Sequence, residues 1–203
     1  MKQLFRAKFL LIIIPLQVFL SLQVNTASAQ LRTPRFDDDI MIDLQDHRTP
    51  QQTGFFLFVS NHLMYGNVGV PVGLLAGGII TNDKAMRQNA LYVAGSTAIS
   101  AGLTEIIKHL VKRPRPFLQN VHITPIYRPG NYSFPSGHSS SSFATATALS
   151  IAYPKWYVIL PAYLWAGSTA YSRMYLGVHY PTDVAAGAGL GAASALPLLF
   201  LKK

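Results

Sequence analysis

Three short blocks of the sequence combine cations, histidines and a carboxylate in patterns suited to binding an anion and moving a proton. They span residues 108–116 (KHLVKRPRP), 135–138 (PSGH) and 172–183 (SRMYLGVHYPTD). Arginine offers planar, bidentate donors that fit oxyanions, whereas lysine supplies a compact point charge. A site shared by Lys108, Arg115 and Arg173 would therefore suit phosphate. Headgroup anchoring or a positive surface patch is the alternative for the first block taken alone.

The second block has the composition of a helix start. Ser136 can cap the helix, and Gly137 has no Cβ to keep an anion away from the backbone. The N–H groups that follow point outward at the positive end of the helix dipole, where phosphate binds readily. His138 would lie at the rim of such a site, where it could supply a proton.

The third block pairs a histidine with a carboxylate four residues later. Pro181 suits the first helical position, so we expect His179 just before a helix and Asp183 in its first turn. The carboxylate can then fix the ring tautomer and leave the other nitrogen free to attack. Two histidines and one aspartate could instead be metal ligands. Three nearby cations argue against that alternative, and we predict no metal or other cofactor.

Five apolar segments indicate the elements that carry these blocks. They are rich in Gly, Ala, Ser and Thr, as in closely packed membrane helices, and none alternates like a strand. They cover residues 63–81, 90–107, 143–153, 156–170 and 184–201, and the third is short unless it begins near Ser136.

The charges between the segments predict the topology. With residue 30 outside the cytoplasm, the basic joints 81–88, 155 and 202–203 fall inside, as the positive-inside tendency expects. The three blocks then lie at the outer helix ends and can converge. The alternative is a soluble all-helical protein with uniformly apolar core helices.

The N-terminus divides the chain into three parts. Residues 1–29 have the basic, apolar and small-residue order of a signal peptide, or of a signal anchor if they are not cleaved. Residues 30–54 read as a polar, exported segment that is loosely structured or at the surface. Residues 55–203 form the predicted helical domain.

The composition excludes several classes of function. Half of the 203 residues are hydrophobic and only 12% are charged, against about 25% in soluble domains. The net charge of +9 comes from short clusters without a basic arm or aromatic platform, which argues against nucleic-acid binding. There is no cysteine, and therefore no disulfide framework or zinc-thiolate site.

In order and spacing, the three blocks resemble the type-2 phosphatidic acid phosphatase superfamily. Its pattern is Lys, six residues, Arg-Pro; then Pro-Ser-Gly-His; then Ser-Arg, five residues, His, three residues, Asp. Every specified position matches, and with the flanking helices the resemblance covers roughly residues 60–200. It implies an all-α, membrane-embedded bundle of five core helices, or six if the N-terminal segment is retained, with the active site at the outer face.

The resemblance also implies a two-step, metal-independent phosphatase. His179 would attack phosphorus and form a phosphohistidine, with Asp183 orienting the ring. His138 would protonate the leaving oxygen and then help water attack. The phosphoryl oxygens would be held by Lys108, Arg115, Ser136, Gly137 and Arg173. Ser172 belongs to the motif without clear chemistry.

Several functions share this constellation of residues. We predict a lipid phosphate or diphosphate as substrate, in the bacterial inner membrane with the site facing the periplasm, and no obligate protein partner. Lys112 and Arg113 are predicted as a second-phosphate contact. The alternatives are a soluble periplasmic nonspecific acid phosphatase, a vanadate-binding haloperoxidase (generally a much longer chain) and a non-catalytic module that binds lipid headgroups.

Overall fold

The computed structural model describes residues 34–130 and 132–203, and the predicted signal segment 1–29 lies outside this range. The chain divides into two compact units, Met1–Asp37 and Asp38–Lys203. Only the opening of the first helix belongs to the described part of the smaller unit. The larger unit carries all three sequence blocks.

The described residues are helical and contain no strand, which confirms the predicted all-α class. In chain order the helices are α1 (Pro34–Asp46), α2 (Pro50–Asn61), α3 (Leu63–Ile80), α4 (Lys84–Val111), α5 (Pro116–Gln119), α6 (Gly137–Ala152), α7 (Trp156–Tyr175) and α8 (Pro181–Ser194), followed by a 3₁₀ turn (Leu199–Leu201).

Helices α3, α4, α6, α7 and α8 correspond to the five predicted segments. The third segment does begin near Ser136, because that residue caps α6. The last segment ends earlier than predicted, since α8 stops at Ser194 whereas the apolar run continues to Leu201. Pro197 explains the difference, because a proline disfavours helical geometry at the residue before it.

Helix α6 lies at the centre and packs against α8, α7, α4 and α3. Small residues permit this contact. A Cβ atom on Gly191 of α8 would lie 2.1 Å from the carbonyl oxygen of Ser140, so only glycine lets these two backbones approach so closely. The serines of α6 also bond within and between helices. The Ser142 hydroxyl donates to the His138 carbonyl at 2.8 Å, and the Ser140 hydroxyl contacts Thr104 at 2.7 Å.

The segment predicted as loosely structured or at the surface contains helix α1. Within the larger unit, Met41 is fully buried and packs with Ile123 and Tyr180. The Gln45 side chain bonds the backbone of the loop at His122 and Thr124, at 3.0 and 2.6 Å. Buried Met41, partly buried Ile42 and these two bonds hold a helix rich in aspartate.

The helices differ in how well their length and composition suit a membrane span. The stretch Lys84–Gln119 is long and apolar enough to cross a bilayer. The pair Pro50–Asn61 and Tyr65–Ile80, bent by 45°, would be a second such stretch if counted as one span. No other helix of the described residues meets that criterion.

Candidate active site

His179 and Asp183 lie where the third block predicts them. His179 is in the turn between α7 and α8, and Asp183 is the third residue of α8, after Pro181 at its first position. The Asp183 Oδ2 atom is 3.7 Å from His179 Nδ1 and accepts a hydrogen bond from the Tyr180 backbone N–H at 3.0 Å. Both side chains are buried. The helix start therefore fixes the carboxylate beside one ring nitrogen.

Two further residues hold the Asp183 carboxylate. Arg113 Nη1 donates to Asp183 Oδ1 at 2.6 Å, and the Ser133 hydroxyl donates to Asp183 Oδ2. The same hydroxyl is 3.5 Å from His179 Nδ1. The sequence patterns did not identify Ser133, because it precedes the second block without any spacing rule of its own. It bridges the proposed histidine and carboxylate.

The other ring nitrogen of His179 faces a cation. Arg115 Nη1 lies 3.2 Å from His179 Nε2 and also donates to the Val178 carbonyl at 2.8 Å. A guanidinium can only donate, so Nε2 carries the lone pair and Nδ1 carries the proton that faces Asp183. The pKa of His179 is lowered to about 4, mainly by burial and also by the charges of Arg173 and Arg115, against the opposing effect of Asp183. The ring is neutral at pH 7.

The three predicted cations come together. Lys108 is in the last turn of α4, Arg173 in the last turn of α7 and Arg115 just before α5; all three are buried and interact electrostatically. Lys108 Nζ is 3.7 Å from the position that a Cβ on Gly137 would occupy. The three positive charges repel one another, and an oxyanion bound among them would relieve that repulsion. The arrangement suits phosphate.

Arg173 is oriented by residues outside the three blocks. Its Nη1 atom donates to the Ser60 hydroxyl at the end of α2, and its guanidinium lies over the Tyr127 ring at 5.6 Å. Its Nε–H is buried and has no hydrogen-bond partner within the part of the chain that the structure describes. A buried unpaired donor is costly, so this N–H is available for an anion.

His138 is the second residue of α6 and is partly buried. Ser136 caps the helix by accepting from the Ser139 N–H at 3.4 Å, and its own N–H donates to the Asp183 carbonyl at 3.0 Å. The second and third blocks are thereby joined. The His138 ring interacts with the backbone of Ser60 and, electrostatically, with Arg173, His179 and Lys108.

The remaining predicted residues do not join the cluster of Lys108, Arg115 and Arg173 in the contacts described. Lys112 is exposed and ends α4 in the left-handed conformation, with φ of 52°. Arg113 contacts Asp183, so its role toward a second phosphate stays a prediction. Ser172 donates to the Thr169 carbonyl at 2.6 Å, which is a contact within α7. No group of three or more His, Cys, Asp or Glu side chains within residues 34–130 and 132–203 is arranged to hold a metal ion.

The site therefore unites all three sequence blocks around one buried histidine. A model of the PAP2 superfamily matches residues 89–202. The chain belongs to the PAP2 superfamily. This is the family that the three blocks indicate, and the match covers α4, α6, α7 and α8 but not Ser60 of α2.

Characterised relatives of this PAP2 chain cover part of its length. It is 35% identical over 144 residues to the undecaprenyl-diphosphatase of Sulfolobus acidocaldarius, which is 68% of this chain and 65% of that protein. It is 40% identical over 76 residues to the lipid A 4'-phosphatase of Bacteroides thetaiotaomicron, or 37% of this chain and 34% of that protein. The matched region is thus less than two thirds of each relative.

A solved structure has the same fold over nearly the whole chain. The first transmembrane PAP2-type phosphatidylglycerolphosphate phosphatase from Bacillus subtilis superposes with a TM-score of 0.74. The superposition covers 92% of this chain and 94% of that one at 22% identity. At this identity the likeness establishes the shared architecture alone.

Proposed function

We propose that this chain is a metal-independent lipid phosphatase that works through a phosphohistidine at His179. One observation carries the proposal. A buried, neutral imidazole directs the lone pair of Nε2 toward a cluster of cations, while its Nδ1–H faces Asp183. That is the arrangement of a nucleophile beside an oxyanion site.

In the first step the Nε2 lone pair attacks phosphorus in line with the leaving oxygen. The N–P bond forms, the P–O bond to the lipid breaks, and His138 gives its proton to the departing oxygen. The dianionic phosphate offsets the positive charge around His138, so that the ring can hold the proton before transfer. Asp183 balances the charge that His179 gains.

In the second step the now neutral His138 takes a proton from water. The water oxygen attacks phosphorus, the N–P bond breaks, and inorganic phosphate leaves with His179 neutral again. In each step one bond to phosphorus forms and one breaks, and after the second step the proton is back on His138. No other reactant is needed.

The phosphoryl oxygens would be held by Lys108, Arg115 and Arg173 together with the backbone at Ser136 and Gly137. The Nε–H of Arg173, which has no partner among the described residues, supports this role. So does Lys108 Nζ, which lies 3.7 Å from the position that a Cβ on Gly137 would occupy. Fixed cations and amides aimed at the transferring group stabilise the transition state without reorganising.

We propose that the protein is integral to the membrane because the polarity of α4 is inverted from Ser96 to the end of the helix. In that part the buried positions, four residues apart, are Ser96, Ser100, Thr104 and Lys108, whereas Leu103, Ile106 and Leu110 are exposed. Exposed apolar faces continue on α3 and α7, with Leu75, Ile79, Ile159 and Leu164 among them. Polar groups inside and apolar groups outside suit a lipid environment.

The charges at the opposite end of the bundle support the proposed orientation with the site in the periplasm. There the start of α4, the end of α6 and the end of α8 meet around Tyr92, Ala152 and Ala195. The basic joints 81–88, 155 and 202–203 belong to this end, and the Lys203 N–H bonds Asn89. Placing them in the cytoplasm puts the site at the outer face of the inner membrane.

The proposed substrate is an amphipathic phosphate or diphosphate that enters from the outer leaflet. The names of the relatives and the solved neighbour refer to undecaprenyl diphosphate, lipid A and phosphatidylglycerol phosphate, respectively. We infer the shared class, a phosphate on a membrane lipid. Exposed Lys112 would contact a second phosphate if the substrate is a diphosphate.

The activity is tested with purified full-length protein in detergent. Phosphate release is measured from these three lipids and from a soluble aryl phosphate, for the wild type and His179→Ala. We expect wild-type turnover of at least one lipid and a loss of about 10⁴-fold or more in the variant. Full activity of the variant would overturn the mechanism. Release of the protein by alkaline extraction of membranes would contradict the integral-membrane assignment.

A further inference from the structure

Arg113 contacts the Asp183 side chain rather than lining the cation cluster. Its Nη1 atom is 2.6 Å from Asp183 Oδ1 and 2.7 Å from the Thr182 hydroxyl. We propose that Arg113 is a positioning residue that sets the Asp183 carboxylate against His179. This inference rests on the proposed phosphatase function and assigns Arg113 a role different from that of a second-phosphate contact.

The two oxygens of the Asp183 carboxylate have separate partners. Oδ1 accepts from Arg113, whereas Oδ2 accepts from Ser133 and the Tyr180 N–H and faces His179 Nδ1. Holding Oδ1 fixes the rotation of the carboxylate plane, and this rotation decides whether Oδ2 meets the ring. Arg113 therefore acts on His179 through Asp183.

The Arg113 side chain is itself held firmly. Its guanidinium lies 4.0 Å from the Tyr180 ring centroid, and its backbone carbonyl accepts from the Ser133 N–H at 2.7 Å. Only 13% of the side chain is exposed. A charge-assisted bond combined with stacking suits arginine specifically, because lysine lacks the planar fork.

The contact between Arg113 and Asp183 matters at the step in which the His179 ring gains a positive charge. When the N–P bond forms, the His179 ring becomes cationic and Asp183 must be present as an anion in the correct orientation. Arg115 also interacts electrostatically with Asp183 and would attract the carboxylate away from the ring. A cation on its other side keeps the carboxylate in place.

The experiment compares Arg113→Gln, Arg113→Lys, Asp183→Asn and the Arg113→Gln/Asp183→Asn double variant. Each is assayed on a lipid monophosphate and a diphosphate with the same chain. For Arg113→Gln we expect kcat to fall by about 10- to 100-fold equally on both substrates, with little change in KM. Arg113→Lys should keep part of the kcat that Arg113→Gln loses. In the Asp183→Asn background, Arg113→Gln should lower kcat by less than about 2-fold more.

The control is Arg128→Gln. It changes an exposed arginine that lies over the Phe117 ring, in the connection between α5 and α6. It should leave kcat unchanged. A loss confined to the diphosphate, a rise in KM alone, or a full additional loss in the Asp183→Asn background would overturn the proposal. If Arg113→Gln fails to fold, as judged by thermal unfolding, the same comparison is made with Arg113→Lys, alone and combined with Asp183→Asn. Activity that survives His179→Ala would instead refute the phosphatase mechanism itself.

Discussion

The two histidines of the site are held in different ways. His179 is 2% exposed and has a defined partner at each ring nitrogen, with Asp183 and Ser133 on one side and Arg115 on the other. His138 is partly buried at the start of a helix, where its ring interacts with the backbone of Ser60. One ring is fixed in a single tautomer, while the other has fewer constraints.

This difference matches two chemical tasks. A nucleophile needs one lone pair in one direction, so every contact that fixes the tautomer helps. A residue that gives a proton in one step and takes one in the next must exist in both forms, and a saturated set of partners would oppose that change. The difference supports the proposed roles of His179 as the nucleophile and His138 as the acid.

The largest predicted effect separates these tasks by the leaving group. His138→Asn should lower turnover of a lipid phosphate by about 10²- to 10⁴-fold, because no proton reaches the departing oxygen. With an aryl phosphate whose phenol is acidic, the first step needs no proton, so we expect a burst of phenol and then slow turnover. His179→Ala should lose the burst as well as turnover on both substrates.

Stopped-flow detection of the phenol measures the burst. The interpretation fails if His138→Asn slows the burst on the aryl phosphate as strongly as it slows lipid turnover. It also fails if His179→Ala keeps the burst.

The titration of His179 provides the second prediction. Its pKa is lowered to about 4, so in the substrate-free protein the ring should stay neutral as the pH falls from 7 to 5. A ring with the ordinary pKa of about 6.5 would be mostly protonated at pH 5. Because the unfolded chain takes up this proton first, His179 should make the protein less stable as the pH falls from about 6.5 toward 4.

Nitrogen NMR of histidine-labelled protein reads the ring directly, and His179→Ala identifies its signal. A midpoint near 6.5 would contradict the description of a buried, neutral nucleophile. Thermal unfolding across the same pH range checks the sign of the stability change against the variant.

Ser60→Ala gives the smallest predicted effect, on the His138 side of the site. It removes the hydroxyl that Arg173 contacts but keeps the backbone group that His138 contacts. We expect kcat/KM to fall by about 3- to 10-fold, as for one lost hydrogen bond. Ser100→Ala is the matched control, since that serine is equally buried and its hydroxyl has no hydrogen-bond partner among the described residues. Equal losses in the two variants would remove Ser60 from the site.

Sequence patterns predicted most of the site because its chemistry is concentrated in three local blocks. Spacing alone placed Ser136 at the cap of α6 and Asp183 in the first turn of α8, since capping and proline preferences act over a few residues. Apolar segments of small residues likewise predicted the five core helices. Local rules sufficed for these features.

The residues that were missed depend on contacts between distant parts of the chain. Ser60 meets Arg173 113 positions later, and Ser133 meets Asp183 50 positions later, so no local pattern marks either serine. The contact of Arg113 with Asp183 joins positions 70 residues apart, so no local pattern predicts it. Helix α1 was missed because tertiary packing of Met41 outweighs the polar composition of its surroundings.

Trapping the phosphoryl group tests the central claim most directly. His138→Asn protein is mixed with an aryl phosphate that has an acidic phenol and is labelled in the phosphoryl group. The mixture is quenched in alkali, which preserves a phosphohistidine, and digested for peptide mapping. We predict that the label accumulates on His179 at up to one phosphoryl group per chain. A label on another residue, or continued turnover with no label on His179, would contradict the account.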